Sequence, residues 1–166
     1  MSETKTMQAL SVTGVRRLDL VALPVPEPGP GEVLVRVAWC GICGSDIPRY
    51  FEGGVHAFPQ VLGHEFSGEI AALGPGVDDH AVGERVAVAP LVPCGHCAYC
   101  QKGRPALCTD YGFIGSRRQG ALADYVVAPA RNALPVPDTM SLEAAALVEP
   151  LTVAIHGLER ADYTGV

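Results

Sequence analysis

The stretch "GEVLVRVAWCGICGSD", Gly31 to Asp46, passes from a regular alternation of side chains into a glycine-rich turn that carries two cysteines. Val33, Val35 and Val37 fall on one face and Leu34, Arg36 and Ala38 on the other. This is the period-two pattern of a β-strand entering at Gly31 and leaving at Gly41. Cys40 falls at the end of that strand, and Cys43 lies in the turn beyond it. Taken alone, Cys40-Gly41-Ile42-Cys43 reads equally as a redox pair, as half of a zinc knuckle, or as one working thiol beside a bystander.

Outward from this strand the texture repeats. "GHEFSGEIAALG", "GERVAVAP" and "GALADYVVAP" are further β candidates, each bounded by glycine or proline. Pro24, Pro26, Pro28 and Pro30 make an extended connector before the first clear strand. With 19 glycines and 14 prolines among 166 residues, the composition favours short strands joined by turns over long helices. The fold class expected is therefore mainly β with short helices. The texture changes near the C-terminal end, where Ser141 reads as the N-cap of "LEAAALV" and Pro150 opens a second helical run, "LTVAIHGLERA". Glu149 then sits at a helix junction. The stop at Tyr163-Thr164-Gly165-Val166, with neither cap nor polar tail, leads us to expect a truncated chain.

A chain of this length is the size of one domain and long enough to bury a core without disulfides. The net charge of -6, with only 12 lysines and arginines spread thinly, offers no electrostatic footprint for nucleic acid or an anionic membrane. A small-molecule or protein partner fits better. The apolar runs are too short to span a bilayer, and Met1 to Leu10 carries no secretion signal, so the expected location is the cytoplasm.

"CGHCAYCQKGRPALC" supplies Cys94, Cys97, Cys100 and Cys108 within one short loop, in a lobe of about residues 90–110. Four soft thiolates at this spacing make a tetrahedral zinc site with no open coordination position, hence a structural one. Two disulfides are disfavoured in a chain without a secretion signal, and the spacing is not that of a bacterial iron–sulfur motif. His96, between two of these cysteines, reads as a solvated residue. The remaining metal-capable residues include Cys43, the pair His64-Glu65 in "VLGHEFSG", and Glu149 in "ALVEP". A catalytic zinc takes three protein ligands of mixed type and leaves one position for water or substrate, and this set contains the required kinds. Spacing alone does not select among them.

Together and in this order, "CGICGSD", "LGHEFSG", the four-cysteine lobe and "LVEP" resemble the zinc-dependent medium-chain alcohol and polyol dehydrogenases, from about Gln8 onward. The resemblance implies a GroES-like, partly open β-barrel catalytic domain over residues 1–166. In the complete enzyme it would be followed by a Rossmann NAD(P) domain, whose G-x-G-x-x-G motif is absent from this sequence. It implies two Zn2+ ions, one catalytic and one structural. Cys43 and His64 would bind the catalytic zinc, with Glu65 and Glu149 as carboxylates that ligate it or hold its water. Ser45 would be the proton-relay hydroxyl, and Asp46 would orient His64 by accepting its second N–H. A turn capping its own backbone is the plainer reading of Ser45 and Asp46. On the resemblance, Cys40 is the remainder, a small apolar residue ending its strand.

The implied reaction is oxidation of a secondary alcohol of a polyol or sugar alcohol to a ketone, with hydride passing to NAD(P). "GSDIPRYF", "LGHEFSGEI" and "GFIGSRRQG" resemble the galactitol-1-phosphate dehydrogenase branch more than the sorbitol dehydrogenases. A phosphorylated substrate would need cations, for which Arg49, Arg117 and Arg118 are candidates. Solvated loop charge, or contact with the Rossmann domain of the complete enzyme, is the plainer reading of all three. Tyr50 and His56 are candidates for a substrate pocket, against packing and an ordinary loop histidine. His80, beside Asp78 and Asp79, reads as a surface turn, and His156 as a helix face. The complete enzyme is expected to be a homo-oligomer. The rival readings are a zinc-binding structural or interaction module, with one metal, and a scaffold with no open metal site.

Overall fold

The computed structural model describes residues 5–161. The terminal Tyr163-Val166 stretch and the first four residues of the N-terminal segment lie outside them. The chain begins with an antiparallel hairpin, β1 (Thr6–Gly14) and β2 (Arg17–Pro24). It precedes the proline-rich connector, so Pro24–Pro30 follows a strand pair that the sequence reading did not foresee. The central strand β3 (Glu32–Gly41) comes next, then the short helix α1 (Asp46–Glu52) and the two-residue β4 (Gln60–Val61). β5 (Glu65–Leu73), β6 (Arg85–Val88) and β7 (Leu91–Val92) lead into the cysteine lobe, which holds α2 (Ala98–Gln101). β8 (Gly112–Phe113), β9 (Tyr125–Pro129) and β10 (Ala133–Pro135) complete the strands, and α3 (Leu142–Ala145) and α4 (Val148–Arg160) end the described chain.

Three sheets result, with strand orders β2-β1-β4, β10-β6-β5-β3-β9 and β7-β8. None closes on itself, so the barrel is an open one. β3 lies between β5 and β9, which is why both of its faces are apolar near the start: Val33, Leu34 and Val35 are all buried. The core gathers there around Phe66, Ile70, Val86, Val88, Ile114 and Val126. Burying each such side chain is worth about 1.5–3 kcal/mol, and in a sheet the gain depends on register, since a one-residue slip would turn the set outward.

One backbone arrangement sets up the site. Between β4 and β5 the chain makes no regular ladder, yet Gly120 N–H donates to Val61 O (2.8 Å), Leu122 N–H to Leu62 O (2.9 Å) and Ala121 N–H to Gly63 O (3.0 Å). Residues 61–63 are thus clasped by residues 120–122, and His64 follows immediately. Leu10 N–H donates to Leu122 O (2.8 Å), so the same segment also ties the first sheet to this region.

At the other end, Ser141 Oγ accepts from Ala144 N–H (3.1 Å), the N-cap expected from sequence. The last helix starts earlier than expected, at Val148, which puts Glu149 in its first turn and Pro150 just after it, where a missing N–H costs nothing. Leu151, Val153, Ile155 and Leu158 on α4 are exposed. No helix among the described residues is long and apolar enough to cross a membrane.

His80 is not on a surface turn: it lies in the irregular segment between β5 and β6, its side chain is 6% exposed, and its imidazole is bound on both sides. Nδ1 is 2.9 Å from Glu84 Oε2 and Nε2 is 3.0 Å from Ala130 O. Both partners are acceptors, so only the doubly protonated ring satisfies both contacts. Burial lowers the pKa of His80, but the Glu84 hydrogen bond, the Ala130 carbonyl and the charges of Glu84 and Asp79 outweigh it and raise the pKa above 6.5. The stabilisation is therefore complete below the unfolded value of about 6.5 and fades as pH rises through the higher folded value. Thermal melting of wild type and His80→Gln should show a wider wild-type margin at pH 6 than at pH 8. A margin independent of pH would contradict the assignment.

Candidate active site

Two groups of metal-capable side chains converge in space. In the lobe, the Sγ atoms of Cys94, Cys97, Cys100 and Cys108 all lie within 4.8 Å of one another. Four sulfurs each about 2.3 Å from a tetrahedral zinc would stand about 3.8 Å apart, so the cluster is of the size such an ion needs. Backbone N–H groups already point at two of the sulfurs: Cys94 N–H at Cys108 Sγ (3.3 Å) and Cys97 N–H at Cys94 Sγ (3.4 Å). The backbone around Cys100 and Thr109 pulls the Cys97 thiol down to about 5. Burial pushes Cys100 up to about 12, reinforced by the other three sulfurs and opposed by the Gly95 backbone. Sulfurs this close cannot all ionise unless a cation sits among them. His96 Nδ1 turns instead to the Cys94 carbonyl (2.9 Å) and is not part of the cluster.

The second group comprises Cys43, His64 and Glu65, whose donor atoms also lie within 4.8 Å of one another. The fold assembles it from two strand ends. Cys43 stands in the turn after β3, and Glu65 opens β5 directly opposite Gly41 in the β3–β5 register. A Cβ on Gly41 would fall 2.5 Å from Glu65 Oε2, so the glycine makes room for the carboxylate. Gly63 has φ +93°, and a Cβ there would meet Cys40 Sγ at 2.6 Å and Leu122 N at 2.8 Å. Only glycine fits this residue, and it delivers His64. The His64 ring is 4% exposed and packs edge-on against Phe113, with centroids 5.5 Å apart.

The expected Asp46–His64 contact is longer than a hydrogen bond. Asp46 Oδ1 is 3.9 Å from His64 Nδ1, and Nδ1 is the one buried side-chain polar atom among the described residues that lacks a partner. Asp46 is spent elsewhere: Oδ2 accepts from Cys43 N–H (3.1 Å) and Oδ1 from Arg49 Nη1 (3.0 Å). Ser45 is the N-cap residue of α1, yet its side chain caps nothing; Oγ accepts from Arg49 Nη1 at 2.8 Å. Backbone capping therefore describes Asp46 in part and Ser45 not at all.

Glu149 stays outside the tight donor set. It lines a cleft of about 250 Å³ together with Phe66, Leu91, Phe113, Val148 and Thr152. Burial pushes its carboxyl above the usual range, with His64 opposing and Glu65 adding to the shift. Phe113 is shared between this cleft and His64, which sequence reasoning missed: the aromatic lies in the two-residue strand β8, too short to carry a pattern of its own.

The candidate substrate residues do not gather in one place. Arg118 pairs with Glu32 (2.6 Å), and Arg117 lies over the Tyr111 ring at 4.4 Å. His56 is exposed on a loop. Tyr50 donates to Arg16 O (3.1 Å) and lines, with Ile42, Ile47 and Phe51, an apolar hollow of about 240 Å³ that reaches Asp46. Cys40 belongs to neither metal group. Burial above all, then the charges of Asp46 and Glu65, push its thiol up to about 12, so it stays protonated in the strand.

Residues 29–138 match the model of the alcohol dehydrogenase GroES-like domain. The chain belongs to the zinc-dependent medium-chain alcohol dehydrogenase family. It is 48% identical over 131 residues to galactitol 1-phosphate 5-dehydrogenase of Escherichia coli K12, covering 79% of this chain and 38% of that one. It is 41% identical over 161 residues to sorbitol dehydrogenase of Bacillus subtilis, covering 94% and 46%. Among solved structures, an alcohol dehydrogenase from Escherichia coli CFT073 in complex with NADH superposes with a TM-score of 0.89 at 38% identity, over 95% of this chain and 46% of that one. The chain thus spans less than half the length of the relatives it matches. GroES-like fold, mainly β content and the four-cysteine lobe all agree with the family.

Gly41 and Gly63 should respond differently to alanine. Gly63→Ala meets backbone at a positive φ and should cost about 2 kcal/mol or more in urea denaturation. Gly41→Ala meets no backbone, only the Glu65 side chain, with Oε2 at 2.5 Å and Cβ at 3.2 Å, so it should cost less than Gly63→Ala and appear chiefly as weaker metal affinity in a chelator competition. Equal stability losses would contradict the assignment.

Proposed function

We propose that residues 1–166 form the catalytic domain of a zinc-dependent NAD(P) dehydrogenase that oxidises a secondary alcohol of a polyol or sugar alcohol to a ketone. The observation that carries this reading is the three-residue group of Cys43, His64 and Glu65. A thiol, an imidazole and a carboxylate converge beside a cleft, while four other thiols form a separate, closed cluster. Three mixed donors leave a coordination position for substrate, and four thiols leave none. Where bound at the open group, zinc acts as a Lewis acid on the substrate oxygen.

In this reading Cys43, His64 and Glu65 hold the metal. Glu149, across the cleft, is the second carboxylate, close enough to sense the charges of His64 and Glu65. Ser45 takes the proton of the substrate hydroxyl on a lone pair of Oγ and gives its own to solvent, to which it is exposed, so that it ends unchanged. Cys94, Cys97, Cys100 and Cys108 hold a structural zinc. Hydride is accepted by a nicotinamide coenzyme bound by a further domain, which supports assigning no coenzyme contacts to this one. If the substrate is phosphorylated, Arg117 is the best placed of the three arginine candidates, because Arg49 and Arg118 already hold carboxylates while Arg117 holds none among the described residues. We further propose that the complete enzyme is a cytoplasmic homo-oligomer.

Metal analysis tests this against the interaction-module reading. Wild type should bind two zinc ions per chain, Cys43→Ala one, and Cys40→Ser two. Cys97→Ala should lose the lobe metal together with stability. The full-length protein should oxidise polyols in a chelator-sensitive manner, and Cys43→Ala should reduce kcat by at least about a hundredfold. Two zinc ions retained by Cys43→Ala, or alcohol oxidation indifferent to chelator, would remove the basis of the proposal.

A further inference from the structure

We infer that Arg49 is a positioning residue for the alcohol chemistry, fixing in one guanidinium contact both the proton-relay hydroxyl and the carboxylate that faces the ligand histidine. The inference rests on the reading of Cys43, His64 and Glu65 as a metal centre and of Ser45 as the relay.

The geometry comes from α1. Ser45 precedes the helix, Asp46 opens it, and Arg49 lies four and three residues further on, so all three side chains share one helical face. Arg49 Nη1 reaches both neighbours, Ser45 Oγ at 2.8 Å and Asp46 Oδ1 at 3.0 Å. The Arg49 side chain is 16% exposed and Asp46 only 5%, so the pair is shielded from solvent and tighter than a surface ion pair.

Two consequences follow for the site. A hydroxyl has one proton and two lone pairs. With one lone pair taken by a permanent cation, Ser45 keeps one to receive a substrate proton, and its own proton must point away from Arg49. An N-cap serine would ordinarily spend its oxygen on the helix backbone; Ser45 has helical φ −71° and ψ −16° and makes no such bond, which leaves its oxygen to the cation. At the same time Arg49 draws on the Oδ1 atom that stands 3.9 Å from His64 Nδ1. Asp46 is thereby anchored by Arg49 and by Cys43 N–H, at a distance from which it orients the imidazole electrostatically without taking its proton. Both bonds come from one nitrogen, so a lysine ammonium, with three donors on a flexible stem, can reproduce them only in part.

The test uses the full-length protein with Co2+ in place of zinc. The component of the cobalt absorption that disappears in Cys43→Ala reports on the open centre. Arg49→Ala should keep two metal ions per chain, shift that component, and lower kcat by about 10–100-fold while KM changes less than about threefold. Arg49→Lys should recover part of the loss. Should Arg49→Ala fold poorly, Arg49→Lys carries the test in a double-mutant cycle. It should lower kcat by about tenfold in wild type but by no more than about twofold in a Ser45→Ala background. Equal losses in the two backgrounds, or unchanged kcat and cobalt bands, would overturn the inference. A rise in KM alone, confined to phosphorylated polyols, would also overturn it and make Arg49 a substrate contact. Absence of any Cys43-dependent band in wild type would instead sink the metal-centre reading on which the inference depends, so the two failures are distinguishable.

Discussion

The backbone clasp between residues 61–63 and 120–122 is the constraint from which the rest of the domain follows. Three hydrogen bonds of 2.8–3.0 Å hold the end of β4 and the irregular residues after it against another irregular segment, outside the β1–β4 ladder. Buried backbone groups must find partners, and these two stretches find each other. The cost is steric. A Cβ on Gly120 would strike the Leu62 and Gly63 carbonyls, and one on Gly63 the Leu122 amide. With both glycines in place the segments close, His64 emerges at a fixed point against Phe113, and β5 can start with Glu65 facing Gly41. The site is thus built on backbone approach, and its side chains inherit their positions from it.

Much of this fold is legible in the sequence, for reasons that can be named. β3, β5, β6 and β9 show apolar runs closed off by glycine or proline, and the core they build is the one expected from alternation. The β1–β2 hairpin is not legible. Its turn carries Arg16 at φ +57° where an Asn-Gly or Asp-Gly pair would have announced it. Its alternation is also blurred, because Leu10, Leu18 and Leu20 point outward and are exposed. Alternation identifies a strand only when one of its faces is dry.

The site divides in the same way. The lobe is written in local spacing, since all four thiols come from one loop and need no distant partner. The open group is written in motifs whose meeting depends on strand pairing. Cys43 and His64 are brought together by the register of β3 against β5, and the family resemblance anticipates that where spacing does not. What neither supplied is how the polar side chains divide their hydrogen bonds. Asp46 and Arg49 were each legible as a charge, but the competition of His64, Cys43 N–H and Arg49 for two carboxylate oxygens is a matter of ångströms. Arg118 likewise lost its freedom to Glu32, a residue 86 positions away.

The contrast between a local lobe and a site assembled across strands also bears on the denatured state. A loop with four thiols inside one short segment keeps its chelating power when the strands come apart, because closing so small a loop costs little entropy. The open centre has no such reserve, since its donors separate as soon as β3 and β5 do. A metal that binds folded and unfolded chains alike adds little to the free-energy difference between them. Were both groups to hold a metal, the one in the lobe would contribute less to the folding equilibrium than its affinity suggests, and the one at the open group would report more faithfully on whether the barrel is intact.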